Sequence, residues 1–78
     1  MNRLEIHILR RLYDHTYIGR RHAAVADLKQ GLPKEKRIMR DIKRAVKGLI
    51  NAGFLLPHHG DRVSISPRKL GEIKRLIK

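Results

Sequence analysis

Cysteine is absent from the 78 residues, which excludes disulfides and thiolate zinc sites. Tryptophan is absent too, and the only aromatic residues are Tyr13, Tyr17 and Phe54. Any core must therefore be aliphatic, and a surface that stacks exposed bases has little to work with. Carboxylates are scarce: 7 Asp and Glu face 19 Lys and Arg, a formal charge of +12. No apolar run approaches the length of a membrane span, and the N-terminus lacks an apolar signal-peptide stretch. An intracellular, cytoplasmic protein is expected.

Signatures of catalysis are missing as well. There is no G-x-S-x-G, no glycine-rich phosphate cradle with its lysine and no pair of carboxylates in a common apolar setting. Asp27, Asp41 and Asp61 each sit beside basic residues and read as local charge partners. No enzymatic role and no cofactor are expected. The five histidines do not make a metal site: His58 and His59 share one turn, while His7, His15 and His22 lie on other elements. No His-x3-His pair shares a helix face. Protonation of the turn histidines is the more natural expectation, since it adds charge where a polyanion would lie.

What is present folds. Hydrophobic residues make up 41% of the chain, too many for a disordered basic tail, and the length suits one domain over residues 1–78. Asn2 with Glu5 three residues on predicts a helix start, and the helix runs from Arg3 to about His15. Leu4, Ile8 and Leu12 form one apolar stripe, and Ile6, Leu9 and Tyr13 form a second. That helix is either central to the fold or shared with a second subunit.

Thr16 to Gly19 is β-favouring and ends in a breaker, so a short extended segment is expected. Residues 22–30 predict a brief helix with Ala24, Val25 and Leu28 inward. Gly31-Leu32-Pro33 stops it and starts the next. After Gly53 the period changes to two: Phe54–Leu56 is a strand, His58–Asp61 a turn and Arg62–Ser66 a returning strand. Val63 and Ile65 point to a core, and Arg62, Ser64 and Ser66 to water. Ser66-Pro67 then opens a final helix with Leu70, Ile73 and Ile77 inward.

Between these lies the most informative stretch, a helix predicted from Pro33 to Asn51. Ile38, Ile42, Ala45, Val46 and Leu49 fall on one side of it, and Arg37, Arg40, Arg44, Lys47 and Asn51 on the opposite side. A solvated charged face would normally carry both signs. Here only Glu35 and Asp41 oppose seven Lys and Arg. Such a line of charge fits a polyanionic partner.

The order helix, short strand, helix, turn, longer helix, hairpin, helix resembles the winged helix-turn-helix domains, in particular the small, basic winged-helix proteins of archaea. The resemblance spans Leu4 to Ile77 and is carried best by LKQGLPKEKRIMRDIKRAVKGLINAGFL. It implies an α+β, mostly helical fold, with a three-helix core, a two-stranded wing and a C-terminal helix. It also implies a nucleoid-associated DNA-binding protein acting in transcription or chromosome organisation. Helix 33–51 would enter the major groove and the wing, 54–66, would reach backbone or minor groove.

Carried over by residue, Lys36, Arg37 and Arg40 lie nearest base edges, and Arg44 and Lys47 nearest phosphates. Arg62 would be the wing contact, with His58, His59 and Gly60 at its tip. Arg20 and Arg21 would hold a phosphate at the start of helix 22–30. RNA binding in a ribosome-associated setting is the first alternative, and a protein-interaction adaptor the second. A membrane-surface role is disfavoured, because three helices with matching apolar faces satisfy one another. The second stripe of the first helix, with Leu76, predicts a two-fold homodimer.

Overall fold

Asn2 accepts the backbone N–H of Glu5 at 2.8 Å, and the Glu5 carboxylate takes the Asn2 N–H at 3.0 Å. This reciprocal capping box fixes the start of α1, Arg3–Asp14. The structure, a computed structural model, describes residues 1–77. Ile8, Leu9 and Leu12 of α1 are fully buried. Helix α1 packs against α2 (Met39–Asn51), α3 (Leu70–Ile77) and strand β3 (Arg62–Ile65). Leu4 and Tyr13 pack against this core, and Ile6 is half-buried.

The end of α1 departs from expectation. The N–H of Thr16 bonds to Tyr13 and that of Tyr17 to Leu12, a reversal that demands a left-handed residue at Thr16. Thr16 accordingly has φ 57°, a strained setting for a β-branched side chain. Of the expected extended segment only Ile18 remains, in a single parallel bridge to Ile65.

The helix expected over residues 22–30 forms only in part, as a five-residue 3₁₀ helix rather than an α-helix. Ala23–Ala24 is instead a short strand, β1, antiparallel to β3, followed by a 3₁₀ turn over Val25–Lys29. Nine residues make a marginal helix. The open edge of β3 offers Ala23 and Ala24 a ladder, and the Val25 N–H goes to the Asp61 carbonyl. Ala23 is therefore the buried alanine, beside Val25 and Leu28.

The hairpin of β2 (Leu55–His58) and β3 pairs Leu55 with Ile65 and His58 with Arg62. The sheet has three strands in the order β1-β3-β2: the expected two-stranded wing is joined by Ala23–Ala24 rather than by the segment Thr16–Gly19. Val63 and Ile65 enter the core as expected, but Ser64 and Ser66 are buried too. The outer face is covered at Ser64, whose hydroxyl donates to the Gly19 carbonyl at 2.8 Å, under the loop that joins α1 to β1. Ser66 caps no helix with its hydroxyl; a 3₁₀ turn, Pro67–Lys69, leads into α3, where Ile73 is fully buried.

The molecule is thus a small α+β fold, three α-helices with a three-stranded antiparallel sheet. No described helix is long and apolar enough to cross a membrane.

Candidate nucleic-acid interface

The long helix begins six residues later than its sequence pattern suggests. Lys34–Lys36 forms one 3₁₀ turn, Arg37 and Ile38 are non-helical, and α2 starts at Met39. An α-helix begun at Pro33 would set Lys34, Lys36 and Arg37 on its positive N-terminal end, where cations are disfavoured. Starting at Met39 puts Asp41 in the first turn instead. Ile38 consequently leaves the core stripe and is 46% exposed. Arg37 leaves the cationic stripe, and its Nε–H donates to the Leu32 carbonyl at 2.7 Å.

Within α2 the two faces are cleanly separated. Ile42, Ala45, Val46 and Leu49 are buried, and Arg40, Lys43, Arg44, Lys47 and Asn51 are exposed. At 3.6 residues per turn the exposed set spans a wedge of about 100°, ordered Lys43, Lys47, Arg40, Asn51, Arg44. Lys43 is absent from the expected set, although its spacing of three from Arg40 and four to Lys47 places it there. Among the described residues the only side-chain ion pair is Lys69–Glu72 at 3.7 Å. No carboxylate pairs with the ridge.

The end of α2 joins it rigidly to the hairpin. Gly53 has φ 86°; its N–H bonds to Ile50 and that of Phe54 to Leu49. This glycine-dependent cap buries Phe54 and starts β2 three residues past the helix cap, Ala52. Val25, Lys43, Val46, Lys47, Ile50 and Asp61 line a shallow groove. The Lys43–Lys47 edge of the ridge thus looks across this groove at the hairpin turn. Gly60 and Asp61 both turn with positive φ there.

The other expected contacts are placed differently. Arg20 and Arg21 are exposed on the α1–β1 loop, with Arg21 over the Tyr17 ring at 5.5 Å. They precede a strand, so the helix end expected to share a phosphate with them is not formed. Lys36 lies in the 3₁₀ turn before α2, exposed. Arg62 does not extend from the hairpin. Its Nε–H donates to His22 Nδ1 at 2.7 Å and an Nη2–H to the His22 carbonyl at 3.0 Å. His58, expected at the tip, ends β2 and is half-buried; His59 and Gly60 are exposed there, as is Asp61.

No group of three or more His, Asp or Glu able to hold a metal is found among the described residues. Compared with protein-family models, curated proteins and solved structures, the chain finds no match in any of the three.

Proposed function

We propose that the domain is a winged helix-turn-helix that binds duplex DNA, with α2 laid in the major groove and the β2–β3 hairpin as its wing. The observation that carries this reading is the ridge of Arg40, Lys43, Arg44 and Lys47 beside the hairpin turn, which makes no ion pair among the described residues. A helix held by its apolar face and cationic along the other fits a phosphate-lined groove. Arg40 and Arg44 supply forked donors for phosphate or guanine, and Lys43 and Lys47 supply point charge.

Duplex is favoured over a single strand because Phe54 is buried and Tyr13 and Tyr17 are half-buried, leaving no exposed aromatic platform for bases. The role that follows is regulation of transcription or organisation of chromosomal DNA.

The test is the R40E/R44E double variant. Its circular dichroism and melting temperature should stay close to those of the parent, while affinity for a 20-base-pair duplex at matched salt drops at least a hundredfold. Wild-type binding should weaken with salt, each neutralised phosphate adding about 0.9 to the log–log slope. A double variant that keeps parental affinity would overturn the placement. Tighter binding to structured RNA than to duplex DNA would favour the RNA reading.

A further inference from the structure

At the outer end of the sheet, each strand contributes one nitrogen-bearing side chain to a single cluster. His22 precedes β1, His58 ends β2, and Arg62 begins β3 opposite His58. The imidazoles of His22 and His58 stack with centroids 4.4 Å apart. Hydrogen-bond directions fix the protons. Arg62 Nε can only donate, so His22 Nδ1 must accept with a free lone pair. The Ser64 hydroxyl gives its one proton to Gly19, so it accepts from His58 Nε2, at 2.8 Å.

The groups facing His22 are therefore His58 from β2 and Arg62 from β3. Arg20 and Arg21 flank it on its own loop, and Asp61 precedes Arg62 in the turn. No carboxylate among the described residues forms an ion pair with His22 or Arg62.

We propose that His22 is a positioning residue for Arg62: neutral, it clasps the guanidinium against the sheet; protonated, it releases it toward a phosphate. A protonated His22 has no acceptor at Nδ1, and an imidazolium N–H would then face a guanidinium N–H. Two donors and two positive charges cannot keep a separation of 2.7 Å. Repulsion drives the guanidinium away from Nδ1, leaving only its bond to the His22 carbonyl to hold it. Partial withdrawal from water, then the neighbouring His58 and Arg62, hold the His22 imidazole below the usual histidine range. The clasp is therefore closed at neutral pH and opens as the medium acidifies. A phosphate that captures Arg62 removes the acceptor's partner and favours proton uptake, so binding and protonation are linked.

This inference rests on the DNA-binding reading only for the phosphate; the clasp itself is a property of the free domain. Two measurements separate them. In the free protein, nuclear magnetic resonance should show a protected Arg62 Nε–H that is lost in step with the titration of His22. In anisotropy titrations with a 20-base-pair duplex at fixed ionic strength, wild type should gain affinity three- to tenfold as His22 protonates. The salt slope should rise by about 0.9, one added phosphate contact. H22N keeps an acceptor without titrating and should lose that step; R62Q should lose it as well.

An Arg62 Nε–H that stays protected after His22 has titrated overturns the clasp, as does an H22N variant with the full affinity step. If no duplex binds at any pH, the DNA-binding reading and the release to phosphate both fall. The resonance titration then still decides whether the clasp opens.

Discussion

Thr16 occupies the left-handed position that ends α1, where its branched Cβ crowds the following carbonyl. Glycine adopts that conformation without strain. T16G should therefore stabilise the domain by about 1 kcal/mol, the cost of a non-glycine residue in this region less glycine's larger chain entropy. Urea denaturation followed by circular dichroism measures it, as a midpoint shift at constant slope. A destabilised variant would mean that the Thr16 hydroxyl bond to the His15 carbonyl at 2.6 Å outweighs the strain. Ser64 makes the opposite case. A serine on the outward side of a strand reads as solvated, yet this one is fully buried, with both its donor and its acceptor engaged.

At the scale of elements, α2 lacks a side-chain cap: Ile38 stands at the N-cap with extended backbone, 46% exposed and bonded to nothing through its side chain. I38S supplies the missing acceptor for a first-turn N–H and should raise stability by about 1 kcal/mol. Thermal melts at neutral pH test it; an unchanged or lower transition would refute it.

The same helix shows how far an element is legible from its own residues. Its apolar stripe from Ile42 to Leu49 and its cationic face from Arg40 to Lys47 depend only on spacing within the helix, and both are where the pattern sets them. Its start is not legible from periodicity, because it turns on the repulsion of Lys34, Lys36 and Arg37 by the helix end. Capping of α1 was local, Asn2 to Glu5, and readable. The start of the helix expected at residues 22–30 gave way to β1, Ala23–Ala24, whose partner β3 lies about forty positions further along the chain. The His22–Arg62 clasp spans the same separation and was invisible for the same reason. A close-range code states what a segment prefers, whereas a sheet edge far along the chain decides what it does.

Across the whole molecule, +12 with a single ion pair among the described residues means that folding concentrates like charge. Two unscreened cations 10 Å apart repel by about 0.4 kcal/mol in water, and many such pairs exist on a body of 32 × 29 × 22 Å. Sodium chloride should therefore raise the melting temperature between about 10 mM and 0.5 M, as the screening length falls from about 30 Å to a few ångströms. For a domain of this size each kcal/mol of relief corresponds to about 4–8 °C. The R40E/R44E variant, four units less positive, should respond less. A melting temperature that falls with salt in the wild type would show that attractive pairs dominate instead.

The glycine-capped junction after α2 carries one more consequence. The carbonyls of Leu49 and Ile50 are taken by Phe54 and Gly53, and the Phe54 carbonyl by the Ser66 N–H. Helix end, outgoing strand and returning strand are therefore stitched through consecutive backbone bonds, with only Gly53 and Phe54 between helix cap and strand. The junction acts as a gauge block: the offset between the cationic ridge and the hairpin turn is machined into the chain. A partner must match that offset or bend to it, because the protein has no slack with which to adjust.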